Sequence, residues 1–197
     1  SHLKHVREFM SKPKLSNVRS KHRNLPDTYY GGDEEKFVTP EKFEQEVLDT
    51  SISKKFWEWC SGSSSLSQHG KENNESHHPP IDYRYGWNLS LRAHQLILLF
   101  RLLVQPVDLL FASPNCAPWG QDSRASSEEN RERRRAGETE TLTFLAIACF
   151  FQVLLGRQYI VENSGYSDIF AKSPLRMLRG GTLSYSMALS DQCTCGA

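Results

Sequence analysis

Cys116 stands in the stretch Ser113-Pro114-Asn115-Cys116-Ala117-Pro118-Trp119, directly after an apolar run of strand length. The two prolines fix their own φ angles, which stiffens the stretch and would aim the side chain between them. A cysteine acts as a nucleophile when its pKa is lowered or when a proton acceptor lies nearby. The residues therefore allow a nucleophilic cysteine at a strand end. The alternative is a small buried thiol, the usual position of a free cysteine.

A carboxylate and an amide, Glu162 and Asn163, follow the apolar run Tyr159-Ile160-Val161. A carboxyl group at a strand end can bind an amidine-like edge, such as N3 and the amino group of cytosine. A glutamate that burial keeps protonated could also donate to a ring nitrogen. The other interpretation is an exposed Glu162 next to an Asn163 that caps a turn.

Small residues, Ser61-Gly62-Ser63, follow a third run, which is rich in aromatics. They would let a ligand approach the backbone, and a helix that begins there would offer free N–H groups. Asp82 comes twenty residues after Gly62 and could accept hydrogen bonds from both ribose hydroxyls of a nucleoside cofactor. The alternative is an ordinary serine-rich turn with Asp82 as a cap.

Alternating strands and helices must position these groups. The patterns predict strands at 55–60, 81–83, 107–112, 158–161 and 182–189, and helices at 40–49, 91–104 and 142–155. The strands are continuous apolar runs, which is typical of a parallel sheet covered on both faces. An α/β fold of this kind binds ligands at the carboxyl ends of its strands, where the three groups stand.

The composition is that of a globular domain with an arm. The chain has 197 residues, and 24 Lys and Arg against 23 Asp and Glu give a net charge of +1. This balance excludes a strongly basic nucleic-acid coat and a wholly acidic tail. We divide the chain into an irregular or helical arm, 1–50, which is basic and then acidic, and an α/β domain, 51–197. The arm could contact nucleic-acid phosphates or a partner protein.

Several classes of protein are not indicated. The five cysteines have no Cys-x-x-Cys spacing and build no disulfide framework, which is typical of a reduced, intracellular protein. The pairs His77-His78 and Cys193-x-Cys195 fit no common zinc pattern, so we expect no metal. No apolar run approaches the ~18 residues of a membrane span, and the first 25 residues have no apolar core of a signal peptide.

The three groups, in this order over residues 54–170, resemble the motifs of the cytosine-C5 DNA methyltransferases. The turn at 58–67 resembles the Phe-x-Gly-x-Gly turn that holds S-adenosylmethionine in that family, and Asp82 resembles its acidic ribose ligand. The stretch 113–119 is similar to the Pro-Pro-Cys-Gln motif, with the nucleophile at Cys116. Val161-Glu162-Asn163 is similar to the Glu-Asn-Val motif, whose glutamate grips the target cytosine.

The resemblance implies a Rossmann-like methyltransferase fold: a mostly parallel sheet with flanking helices. It implies S-adenosylmethionine as cofactor and nucleic acid, DNA rather than RNA, as substrate. Cys116 would add to C6 of a flipped-out cytosine, and Glu162, with Asn163 in the same motif, would hold the base. The implied cofactor contacts are Ser61, Gly62, Ser63, Asp82, Trp87 and Pro114. Contacts to phosphates are expected from Arg124, Arg133 and Arg134, although interleaved acids also fit a solvated helix face.

The chain departs from the family pattern in ways that keep other functions open. Cys60 and Ser64 replace the phenylalanine and the second glycine of the turn, and Asn115 and Ala117 flank the cysteine in place of proline and glutamine. No Gln-x-Arg-x-Arg motif is present, and we expect the domain to be C-terminally incomplete or reduced. One alternative is a catalytically degenerate fold that serves as a binding or structural subunit. Another is an α/β nucleotide-binding enzyme of different chemistry.

Overall fold

A three-stranded parallel sheet lies at the centre of the computed structural model, which describes residues 40–45, 54–120 and 125–179. The strands are β1 (Lys54–Trp59), β2 (Val107–Ala112) and β3 (Gln158–Val161), hydrogen-bonded in the order β1-β2-β3. The predicted bounds of β2 and β3 are confirmed, and β1 begins one residue earlier than predicted. The predicted fifth strand, 182–189, lies outside the described residues.

The chain segment at 77–81, which includes the start of the predicted strand 81–83, runs parallel to β1 on the side away from β2. It makes two isolated bridges, Phe56 with His77 and Trp59 with Ile81, and is not a continuous strand. The order across the sheet is therefore the segment 77–81, then β1, β2 and β3. After β1 the chain adds the segment 77–81 on one side of β1, and it then crosses to the other side to form β2 and β3. The direction in which strands are added therefore reverses between β1 and β2. In open α/β sheets this is the place where ligands bind.

The structure has more helices than were predicted, and the one that precedes β3 is longer than predicted. They are α1 (Pro40–Gln45), α2 (Ser65–Glu72), α3 (Arg92–Val104), α4 (Glu128–Leu154) and α5 (Ile169–Lys172), with 3-10 turns at Tyr83–Tyr85 and Pro174–Arg179. The prediction for α3 is confirmed to within one residue. The prediction that α4 begins at 142 is wrong, because its charged first half is also helical: Ser127 caps it by accepting from the Asn130 N–H at 3.3 Å.

The helix α2 was not predicted, because its small polar residues have the composition of a turn. Its attachment is tertiary. The Glu58 carboxylate, only 4% exposed, accepts from the backbone N–H and the hydroxyl of Ser67 at 2.8 and 2.6 Å. This buried acid on β1 therefore holds α2 against the sheet.

The core lies between the sheet and the helices α3 and α4. Register aligns Trp57 and Trp59 with Leu110 and Ala112 on one face, and all four are fully buried. Helices α3 and α4 pack into this core through leucines, with Leu98, Leu102 and Leu145 fully buried. This burial accounts for the apolar runs of β1 and β2, whereas no residue of β3 is buried and Ile160 is exposed.

Helix α1 belongs to this core and not to a separate arm. Phe43 is fully buried, and its ring stacks on Trp57 with centroids 5.7 Å apart. The Arg101 guanidinium lies 4.2 Å from the same ring and donates to the Phe43 carbonyl at 2.8 Å. The division at residue 50 therefore needs correction at 40–45. The other residues of the predicted arm lie outside the described part of the chain.

One described helix, α4, is long and apolar enough to meet a length-and-composition criterion for a membrane span. Core helices meet the same criterion. Leu142, Leu145 and Cys149 of α4 are buried in the core described above, whereas Phe150 and Leu154 are exposed.

Candidate functional site at the carboxyl edge of the sheet

The predicted site residues collect at the carboxyl edge of the sheet. The turn 60–64 follows β1, Asp82 follows the bridge at Ile81, the loop 113–120 follows β2, and Glu162 and Asn163 follow β3. Because all these stretches are parallel, their carboxyl ends share one edge. Topology alone therefore brings together groups that are up to a hundred residues apart in the chain.

The turn after β1 is tightly wound. Cys60, Gly62 and Ser64 have φ angles of +53°, +52° and +60°, in the left-handed region that non-glycine residues rarely adopt. A Cβ built on Gly62 would meet no atom within 4 Å, so the backbone here is open to the approach of a ligand.

Asp82 ties this turn to the neighbouring stretch. One carboxylate oxygen accepts from the Gly62 N–H at 2.9 Å, and the other accepts from the Arg84 N–H at 2.8 Å, which caps the 3-10 turn. Asp82 is therefore a cap, as the alternative interpretation expected. An ionised carboxylate has about four acceptor positions, so the half-buried Asp82 keeps capacity for further donors.

Tyr85 also holds the turn, a role that its sequence context did not predict. Its hydroxyl donates to the Gly62 carbonyl at 3.1 Å and bonds the fully buried Ser64 hydroxyl at 2.8 Å. Ser64 in turn bonds Ser61 at 3.1 Å. Burial raises the pKa of Tyr85, so the phenol keeps the proton that it donates.

The surroundings of Cys60, at the start of the same turn, disfavour the reactive form of its thiol. It is half-buried, and desolvation, aided by the charge of Asp82, raises the pKa of its thiol. The thiolate is the reactive form of a cysteine, so this position favours an inert thiol.

Cys116 differs from Cys60 in being exposed. Its carbonyl accepts from the N–H groups of Trp119 and Gly120 at 2.9 and 2.8 Å, and the Asn115 side chain accepts from the Ala117 N–H at 3.0 Å. These bonds wind the loop into a tight turn with Cys116 at its surface. The expectation of a stiffened loop thus has a hydrogen-bonded basis in addition to the prolines.

Two hydrogen bonds join this loop to the end of β3. The Ser113 hydroxyl donates to Oε2 of Glu162, and the Asn163 amide donates to the Pro114 carbonyl at 2.8 Å. The other amide atom, Oδ1 of Asn163, is buried and has no hydrogen-bond partner among the described residues. The sequence placed Ser113 among the strand-end residues but gave it no role, because a serine hydroxyl carries no signal until its partner is known.

Of the remaining predicted residues that the structure describes, Trp87 is buried and the others are exposed. Trp87 is 1% exposed and packs edge-to-face on Phe43 and His94, so it is a core residue with no surface to offer a cofactor. Ser63 is exposed and bonds Ser65 at 2.9 Å. Arg133 and Arg134 are exposed on the first half of α4, and Arg124 lies outside the described residues.

A third arginine of that run, Arg135, turns inward to the loop of Cys116. Its Nε donates to the Pro118 carbonyl at 3.1 Å, and its guanidinium lies 5.1 Å from the centre of the Trp119 ring. Its side chain is only 11% exposed. Sequence spacing gave no means of separating Arg135 from its exposed neighbours, because only the tertiary contact distinguishes them.

Comparison with known proteins adds no relative. No family model, no curated protein and no solved structure matches this chain. Within the described ranges, no group of three or more His, Cys, Asp or Glu side chains could hold a metal ion.

Proposed function

We propose that this chain is a methyltransferase-like domain that acts on cytosine C5 of nucleic acid with S-adenosylmethionine. The observation that carries the proposal is the link between the ends of β2 and β3. Ser113 bonds Glu162 and Pro114 bonds Asn163, so the carboxylate and the amide are attached to the loop that displays Cys116. A nucleophile and a base-holding carboxylate on one surface are what addition to a cytosine ring requires.

The chemistry assigned to these residues is covalent catalysis. The Cys116 thiolate adds to C6 of cytosine, while Glu162 holds N3 and the amino group, so that electron density moves to C5. A base inside a duplex must leave the stack to reach the cysteine. When bound, S-adenosylmethionine supplies the methyl group. A proton acceptor then removes the C5 proton, and the thiol leaves C6.

The first turn supports a cofactor of this kind. Gly62 is open to solvent on its side-chain side, and Asp82 keeps acceptor capacity beside it. Ribose hydroxyls are donors that a carboxylate in this position can accept. Ser61 and Pro114 stand at the carboxyl ends of β1 and β2, on the two sides of the point where the winding reverses, which favours a Rossmann-like arrangement with the cofactor above that point.

Exposed arginines support a nucleic-acid substrate, for which we propose DNA rather than RNA. Arg133 and Arg134 lie on the helix that follows the Cys116 loop, with their side chains in solvent. Arg133 bonds Asn130 at 3.2 Å, and the intervening acids moderate the positive charge of this face. Contacts of this type position a protein on phosphates without reading sequence.

A second function is favoured by the state of the first turn. Asp82 already accepts two backbone N–H groups, and the buried Ser64 occupies the position of the family's second glycine within a closed hydrogen-bond network. A turn held in this way can serve as a scaffold with no cofactor. The second candidate is therefore a degenerate methyltransferase fold that acts as a binding or structural subunit.

Calorimetric titration with S-adenosylmethionine and S-adenosylhomocysteine separates the two. The first function predicts micromolar binding that Asp82→Asn weakens by about tenfold or more, because a charged acceptor is lost. Asp108→Asn is the matched control, since this exposed carboxylate lies at the opposite end of β2, where it pairs with Arg157. A folded chain that binds neither compound would support the scaffold.

A further inference from the structure

Arg135 joins three parts of the described chain at one point beside the Cys116 loop. It extends from α4, bonds the Pro118 carbonyl and covers the Trp119 ring, and its Nη2 lies 3.7 Å from the Asp168 carboxylate. Asp168 stands six residues after Glu162, immediately before α5. One guanidinium therefore contacts both the loop after β2 and the loop after β3.

The backbone closes the same junction. The Asp168 N–H donates to the Trp119 carbonyl at 2.9 Å, so the two loops are also bonded directly. Trp119 is 4% exposed, although it lies in a surface loop three residues from an exposed cysteine. The loop is thus anchored at Pro118 and Trp119 and leaves Cys116 as its exposed side.

Arg135 is itself held in place. Glu132, one turn earlier on α4, accepts from Nη1 at 2.9 Å, and Lys172 bonds the same Asp168 oxygen at 2.9 Å. The planar guanidinium donates in several fixed directions and stacks on an aromatic face, which an ammonium group cannot do. These contacts require arginine and are not met by positive charge alone.

We propose that Arg135 is a positioning residue that fixes the Cys116 loop against the loop of Glu162, so that thiol and carboxylate meet one substrate in register. The inference rests on the proposed function, because positioning of Cys116 against Glu162 matters only if both residues act on one substrate. It separates Arg135 from the exposed Arg133 and Arg134, which face solvent in the same run.

The test compares Arg135→Ala and Arg135→Lys in the full chain, with Arg134→Ala as the matched control for the exchange measurement only. The first measurement is hydrogen exchange at the amides of Trp119 and Gly120, which bond the Cys116 carbonyl. We expect exchange about tenfold faster in both Arg135 variants and unchanged in Arg134→Ala. Unchanged exchange in Arg135→Ala would overturn the proposal, and Arg135→Lys keeps the test valid if the alanine variant does not fold.

The second measurement is the rate at which Cys116 forms a covalent adduct with a 5-fluorocytosine oligonucleotide in the presence of S-adenosylmethionine. A small misplacement of a reacting group costs on the order of 10²-fold in rate. We expect a loss of this size in Arg135→Ala and Arg135→Lys, with oligonucleotide affinity unchanged, since a merely structural defect would lower both. An unchanged rate with faster exchange would overturn the positioning role. If the wild-type chain forms no adduct while exchange responds as expected, the proposed function fails and the anchoring by Arg135 is supported.

Discussion

The hydroxyl of Ser113 donates a hydrogen bond to the carboxylate of Glu162 across the carboxyl ends of the neighbouring strands β2 and β3. The backbone reinforces this link, because the Glu162 N–H donates to the Ala112 carbonyl at 2.8 Å and the Ser113 N–H to the Trp59 carbonyl at 3.1 Å. The three strand ends are therefore bonded to one another where the candidate site lies. Glu162 is oriented by a group from the loop that carries Cys116.

Removing the Ser113 hydroxyl tests the orientation of Glu162. We expect Ser113→Ala to lower the free energy of unfolding by about 1 kcal/mol, because the half-buried carboxylate loses a donor. It should also slow adduct formation at Cys116. Urea denaturation checks the first effect. Ser63→Ala is the control for denaturation, because the exposed Ser63 hydroxyl bonds the Ser65 hydroxyl on the surface, and an equal loss of stability there would contradict the role of Ser113.

Alanine substitutions at Gly70 on α2 and at Gly137 on α4 test the packing of α2, because only the first position is crowded. A Cβ on Gly70 would lie 2.5 Å from Cζ of Phe56, whose ring is 8% exposed and stacks on His77 at 5.0 Å. We expect Gly70→Ala to destabilise the fold by about 1–2 kcal/mol, since overpacking outweighs the helical preference of alanine. Gly137→Ala on α4 meets no atom within 4 Å and should stabilise by about 0.5–1 kcal/mol. Thermal melts that move in the same direction for both variants would contradict this packing.

His78 makes stability depend on pH. Burial, with a smaller effect from the Arg101 charge, lowers its pKa from 6.5 to about 4. Between these values the unfolded chain binds more protons than the folded chain, so the free energy of unfolding rises with pH over this window. The full contribution is about 3 kcal/mol, present above pH 6.5 and lost as the pH falls to 4. Denaturation at a series of pH values should show a slope that His78→Gln removes and that His69→Gln, at an exposed histidine, keeps.

The cysteines should differ in reactivity. Burial raises the pKa of Cys149 to about 12, and burial with the Asp82 charge raises that of Cys60, whereas Cys116 is exposed. Alkylation at pH 8, followed by peptide mapping, should therefore modify Cys116 well before the other two, because each additional pKa unit leaves about tenfold less thiolate. Cys60 or Cys149 labelled as fast as Cys116 in the folded chain would contradict the described burial.

Local patterns predicted the elements whose cause is local. The apolar run at 107–112 became a strand with those bounds, and its residues Leu110 and Ala112 are fully buried, as a continuous apolar run indicates. The run at 158–161 also became a strand with the predicted bounds, although none of its residues is buried and Ile160 is 49% exposed. The helix α2 was not predicted, since it is held by the tertiary contact with Glu58. For the first half of α4 the interleaved acids and arginines left phosphate contacts and a solvated helix face as alternatives, and in the structure it is a helix in which these residues pair one turn apart.

The candidate site was predictable in its strand-end residues and not in what holds them. Cys116, Asp82 and Glu162 are chemically distinctive and stand at strand ends, so their types and spacing indicated them. Ser113, Tyr85 and Arg135 are common residue types whose roles arise from partners 17 to 49 residues away. Trp87 illustrates the opposite error, because an aromatic near the cofactor region is a core residue here.

Covalent capture of cytosine by Cys116 tests the central claim most directly. The folded chain would be incubated with S-adenosylmethionine and a pool of random-sequence DNA duplexes that contain 5-fluorocytosine, whose C5 fluorine blocks the last step and preserves the bond to the cysteine. The account predicts an adduct in the intact mass that peptide mapping assigns to Cys116 and that Cys116→Ser abolishes. An absent adduct from a chain that binds S-adenosylmethionine, or one assigned to another cysteine, would contradict it.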